Sequence, residues 1–162
     1  MGMICTLIRV SATELEAYQK DSSLLAKRIS KETDDSCRYD IDKSWDGIIY
    51  LLTGSNSSDT TQYLSKIIFS GQLIDKEQDL GTGPAHYLTL QQVKDINDKI
   101  KEIEPISLKG KFDAAAMKEL GVYPNVWDHE DAADYLIEYF ETVQEIYALA
   151  VENNEAIITF IS

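Results

Sequence analysis

The sequence holds only two cysteines, Cys5 and Cys37, among 162 residues. Two are too few for the disulfide framework of a small secreted domain, so a cytoplasmic protein with reduced thiols is expected. Histidine is equally scarce. His86 and His129 are the whole complement, and neither has a cysteine or second histidine at a zinc-ligand spacing, which argues against a zinc centre. No run of about 18 apolar residues occurs, as a membrane-crossing helix would need. No stretch has the basic, apolar and small-residue order of a signal peptide. The GxSxG elbow, the P-loop and the CxxC pair are all missing, so no cofactor is implied. Basic residues are also in short supply: 15 lysines and arginines stand against 28 aspartates and glutamates, a formal net charge of −13. Such a surface repels phosphate backbones and anionic lipid, so neither nucleic acid nor a membrane is an expected partner. A basic protein or a cation is.

What is present reads as one α+β domain of ordinary apolar content, 44%, long enough to bury roughly 70% of the unfolded chain's surface around a single core. Residues 3–10 are apolar or β-branched on both alternating faces, as in an interior strand. The start MGMICT fits the myristoylation pattern of Gly2 with a threonine at position 6, but the strand assigned to the same residues makes lipidation unexpected. Ser11 and Glu14 have capping-box spacing and open a helix to about Lys31, with a break near Asp21. The segment KETDDS is a loop, and residues 38–41 are a short extended piece. Asp42 is placed to cap a helix that Gly54 ends. A short helix is expected over 62–70, and loop over 73–84 with LGTGP as its turn. A brief strand at 86–88 leads to a helix capped by Thr89 and Gln92 and ended by Pro105. A further helix is expected over 107–120 and the longest over 128–153, roughly 37 Å. Residues 156–161 form a second interior strand. Neither end strand could cover both its faces alone, so the two are expected to pair in one small sheet packed by the helices.

The long helix sorts its side chains. Leu136, Tyr139, Phe140, Val143, Tyr147 and Ala150 share one face, while Asp134, Glu138, Glu141 and Glu145 cluster opposite. Like charges at these spacings cost about 0.2–0.5 kcal/mol each, and the helix itself carries no lysine or arginine to relieve them. The stripe is either a solvated face that keeps an acidic protein soluble or a docking surface for a basic partner.

In the stretch DIDKSWDGIIYLLTG, residues 40–54, Trp45, Ile48, Ile49 and Leu52 form an apolar face, with Lys43, Asp46 and Tyr50 on another. Capping and the helix dipole account for acids at a helix start, and Trp45 suits a core anchor. As an alternative, Asp40 and Asp42, two apart, could hold a divalent cation or do acid–base work.

The opening MGM before a strand, DIDKSWDGIIYLLTG, DLGTGPAHYLTLQQV, YPNVW, and a closing strand after a long acidic helix occur in an order that resembles the YfbM-like family of bacterial proteins. The resemblance spans essentially the whole chain. It implies a compact α+β domain, bacterial and cytoplasmic, with no established activity, cofactor or catalytic residue to carry over. Asp40, Asp42, Lys43, Trp45, Thr53, Gly54, Gly83, Pro84, Tyr87, Leu88 and Thr89 match the family pattern. Where that pattern often has histidine, histidine and arginine, this chain has Asp46, Ile49 and His86.

Two functions are therefore expected to compete. One is a non-enzymatic acidic domain that engages a basic protein partner, of an inhibitor or immunity kind, through Asp134, Glu138, Glu141 and Glu145. The other is a small-molecule or metal-dependent enzyme whose pocket would gather Asp40, Asp42, Lys43, Asp46, Tyr50, His86 and Tyr87.

Overall fold

Apolar side chains on both faces of a strand demand cover on both sides, and the sheet supplies it by placing the two such strands in its middle. The computed structural model describes residues 2–31 and 34–162; Glu32 and Thr33, within the expected KETDDS loop, lie outside the described residues. Strands β1 (Cys5–Ser11), β2 (Arg38–Asp40), β3 (His86–Leu88) and β4 (Glu155–Ile161) form one antiparallel sheet in the order β2-β1-β4-β3. Cys5 faces Ile161, Ile8 faces Ile158 and Ser11 faces Glu155. The expected pairing of the two end strands is thus the centre of the fold.

Each face of that central pair has its own core. Cys5, Leu7, Ile157 and Ile161 point into the larger one, filled by helices α3 (Trp45–Thr53), α4 (Leu90–Ile100) and α6 (Ala132–Glu152). Ile8, Val10, Ala156, Ile158 and Phe160 point into the smaller one. Leu15 and Tyr18 of α1 (Ala12–Lys20), Leu25 of α2 (Ser22–Ser30), and Ile74 and Ala85 of the long loop cover it.

Local chemistry sets most boundaries as expected. Ser11 and Glu14 close a reciprocal capping box on α1, and Thr89 and Gln92 close another on α4. Asp21 is the break: it ends α1 and caps α2, its carboxylate accepting from the Ser23 amide at 3.0 Å. Gly54 ends α3 with φ +78°, in the left-handed region. In the LGTGP turn, Asp79 accepts from the amides of Gly81 and Gly83, and the Thr82 amide donates to Ile161. Gly81 lies so close to the end of β4 that a Cβ there would meet Ser162 Cα at 2.8 Å.

Several expectations need correction, one of them the end of α4, which stops at Ile100 and not at Pro105, where the next 3-10 helix begins. The helix expected over 62–70 is a shorter 3-10 helix, Tyr63–Ile67. The single helix expected over 107–120 is a 3-10 helix, Pro105–Lys111, followed by α5 (Ala114–Glu119). Gly110 weakens helical continuation there, and Asp113 accepts from the Ala116 amide to start a new helix. The long helix begins at Ala132 rather than 128 and runs 21 residues, about 31 Å. Within it Tyr139 is only half-buried, whereas Leu136, Phe140, Val143, Tyr147 and Ala150 are core as expected. Asp42 does not cap α3. Ser44 holds the cap position, with no side-chain cap bond, and Asp42 stands two residues earlier in the left-handed region at φ +52°.

Candidate functional site

The turn from β2 into α3 is where the sequence concentrated its candidates. Backbone bonds between Ile41, Asp42 and Cys5 carry the β1–β2 pairing up to Asp42. Its own amide donates to Asp40 Oδ1 at 2.6 Å. Its Oδ2 accepts from the Tyr135 hydroxyl of α6 at 2.7 Å. A non-glycine residue at positive φ persists where its surroundings over-determine it, and these contacts do so. Burial, and then the bond and charge of Asp42, push the Tyr135 hydroxyl's pKa well above its ordinary value. Tyr139, packed edge-on against Tyr135 at 5.1 Å, is raised by burial and then by Asp42, Asp40 and Glu138. Two candidate sets that are remote in sequence, Asp40 with Asp42 and the α6 carboxylate Glu138, thus border the same tyrosine pair.

The other proposed pocket residues have separate structural positions. Asp46 is buried, 3% exposed, and both its oxygens are occupied: Oδ1 accepts from the Ser57 amide at 2.7 Å and Oδ2 from the Tyr123 amide at 2.8 Å. It ties the loop after α3 to the YPNVW segment. Lys43 lays its stem on the backbone of Gly2, where a Cβ would meet its Cε at 2.0 Å. Trp45 is a core anchor, donating from Nε1 to Met3 O at 2.9 Å and stacking on Tyr123 at 5.2 Å. Tyr50 borders a cleft of about 310 Å³ with Thr53 and Lys111. Tyr87 lies on the opposite sheet face, against the smaller core, while its carbonyl accepts from Ser70 and Gln72.

Phe69 stands between His86 and the Trp45 cluster and meets both rings edge-on, at 5.4 and 5.6 Å. Among the described residues no hydrogen bond or ion pair joins any two of Lys43, Asp46, Tyr50 and His86. Nor is any group of three His, Cys, Asp or Glu among them arranged to hold a metal ion.

His86 Nδ1 accepts from the Gly71 amide at 3.1 Å, which keeps that nitrogen unprotonated, and burial lowers the imidazole's pKa below its ordinary 6.5. Well above pH 6.5 folded and unfolded chains are both neutral at this residue. As the pH falls, the unfolded chain takes up the proton first, so stability is lost until the folded pKa is passed. His86→Asn, whose Oδ1 can stand in for Nδ1, should show a smaller fall in urea midpoint between about pH 7 and about pH 5. Equal falls in the two proteins would clear His86 of this role.

The acidic stripe of α6 is exposed at Asp134, Glu138, Glu141 and Glu145. Its relief by a lysine was not visible within the helix: Lys109, on the neighbouring 3-10 helix, reaches Asp134 at 3.2 Å. Glu138, Glu141 and Glu145 make no ion pair among the described residues. Glu145 borders a groove of about 560 Å³, with Glu102, Glu104, Lys101 and the apolar Ile103 and Pro105. Gln144 holds one wall by donating to the carbonyls of Ile100 and Ile103, both at 2.8 Å. Sequence reasoning missed this groove and the Tyr135–Asp42 bond. The only sequence signal was the i, i+4 spacing of Tyr135 and Tyr139 beside the stripe.

The fold is similar to the crystal structure of a protein of unknown function, YfbM, from Escherichia coli. The TM-score is 0.75 at 18% identity, covering 98% of this chain and 99% of that one. No curated protein matches the chain. The family described as a domain of unknown function, DUF1877, matches residues 1–160, and the chain belongs to that family.

Proposed function

We propose that the chain is a non-enzymatic binding domain of the bacterial cytoplasm that engages a basic protein partner, in the manner of an inhibitor or immunity protein. The observation that carries this is the exposed row Glu138, Glu141 and Glu145, free of ion pairs among the described residues in a chain of charge −13. A helix that keeps like charges together at spacings of three and four gives up stability it could recover with one lysine. A cationic partner would reverse that cost on binding. The groove beside Glu145 supplies an apolar strip, Ile103 and Pro105, for the desolvated centre that a specific interface needs. The two unpaired cysteines agree with a reducing compartment.

The test compares proteins retained from a bacterial host lysate by the parent chain and by the variant E138K/E141K/E145K. The parent should retain a discrete basic protein whose affinity falls with salt, and the triple reversal should weaken it by about tenfold or more. Retention of the same partners by both proteins would overturn the proposal.

A further inference from the structure

Beside the edge strand β3, a cleft of about 310 Å³ opens between the 3-10 helix Tyr63–Ile67 and α4. Leu88 and Ile96, both buried, line its apolar part. One wall is an amide pair: Gln72 Nε2 donates to Gln92 Oε1 at 2.7 Å, and Gln92 Nε2 donates back at 3.2 Å. The pair is anchored at both ends, because Gln72 also donates to the Tyr87 carbonyl and Gln92 is the capping-box residue of α4. This wall is therefore rigid before anything binds, which lowers the ordering cost of binding.

The charges at the mouth are of opposite sign and do not meet. Lys66 and Asp95 both border the cleft and are exposed, yet neither makes an ion pair among the described residues. The Lys66 ammonium lies 5.4 Å from the Tyr63 ring centroid. On the same ring, burial and then the charge of Asp95 raise the hydroxyl's pKa. Lys66, Asp95 and the Tyr63 ring thus border the same cleft.

We propose that this cleft binds a free α-amino acid, its carboxylate at Lys66, its ammonium at Asp95, and its side chain over the Tyr63 ring and the Leu88 and Ile96 surface. Size and charge select that class. Ligand cavities run from about 300 to 1,000 Å³, so this one suits a small metabolite rather than a nucleotide. A phosphate ester would meet one lysine and one opposing carboxylate on a strongly acidic protein, and a simple cation would leave Lys66 facing it. A zwitterion satisfies both. The proposal does not rest on a basic protein partner and stands or falls separately.

The test titrates the full, 15N-labelled chain with each genetically encoded amino acid in turn. At least one should shift the amide signals of residues 63–70 and 89–96 saturably. Its amide and its N-acetyl derivative, each lacking one charge, should bind about tenfold more weakly or worse, as should the parent ligand to K66Q and to D95N. The exchanged variant K66D/D95K should recover binding, since a zwitterion can turn round. Both charged residues are exposed, and an unchanged spectrum away from the cleft confirms that the variants are folded. Absence of any saturable shift, or equal binding by the capped derivatives or by K66Q and D95N, would overturn the assignment.

Discussion

Asp46→Ala should cost about 3–5 kcal/mol of folding stability, a large share of the roughly 5–15 kcal/mol that a domain has in total. The side chain is 3% exposed, and each of its oxygens accepts a backbone N–H, from Ser57 and from Tyr123. A hydrogen bond to a charged group contributes about 1.5–3 kcal/mol, and removing the acceptor leaves two donors desolvated and unmatched. Asp46→Asn should lie between, since one amide oxygen can serve only one of the two donors and the other would face an NH₂ group. Urea unfolding gives the size of the loss. Hydrogen exchange gives its place: the amides of Ser57 and Tyr123 should lose protection more than the sheet amides do. A loss under about 1 kcal/mol would show that these amides find other acceptors.

Gly47→Val should be destabilising by about 3 kcal/mol or more, against the ordinary rule that glycine weakens a helix by about 1 kcal/mol. A Cβ at this position would lie 2.7 and 2.9 Å from the two methyls of Leu136 and 2.9 Å from the Trp127 ring. Neither neighbour can yield easily. Leu136 is fully buried on α6, and Trp127 is fixed by its Nε1 bond to Val122 O at 2.8 Å. Propensity favours the substitution by less than overpacking opposes it, and the two additional valine methyls would push α3 away from α6. Gly47→Ala should be milder, with the propensity gain offsetting part of the clash. Leu136→Ala alone costs about 2–5 kcal/mol, but in the double variant with Gly47→Val the vacated space should absorb the new side chain, so the combined loss should fall well short of the sum. Strict additivity would mean that the contact is not the cause.

How much of this was legible depended on the range of the interaction. The two interior strands showed themselves because cover on both faces imprints an unbroken apolar run, and Ser11 with Glu14 or Thr89 with Gln92 showed themselves because a capping box closes within three residues. Asp42 was misjudged by the same local logic. It has the right chemistry for a cap, but its actual partner, Tyr135, lies 93 positions away. The 107–120 segment divided because Asp113 offered a better start than continuation through Gly110. The candidate pocket dissolved for a related cause. Helical spacing placed Lys43, Asp46 and Tyr50 on one side of a wheel, yet Lys43 precedes the helix and Asp46 is turned inward to two loop amides. The cleft at Lys66 and Asp95 had no signature at all, because a 3-10 turn and a helix surface become a cavity only once β3 sets them side by side. The positions shared with the YfbM-like pattern acquire physical roles: Asp42 at its positive φ, Trp45 as anchor, Gly54 as helix stop and Gly83 as a donor to Asp79.

The central pairing of β1 with β4 carries a consequence for how the molecule is made. Cys5 pairs with Ile161 and Ser11 with Glu155, so β1, once it has left the ribosome, has no neighbour for its inner edge until about 150 further residues have been translated, roughly 8–30 s at ordinary bacterial and eukaryotic rates. During that interval a doubly apolar segment waits with an open edge, the condition in which nascent chains aggregate or recruit chaperones. Pairing two strands so far apart in the chain also slows the search after release. The helices can form as they emerge, but the sheet closes last.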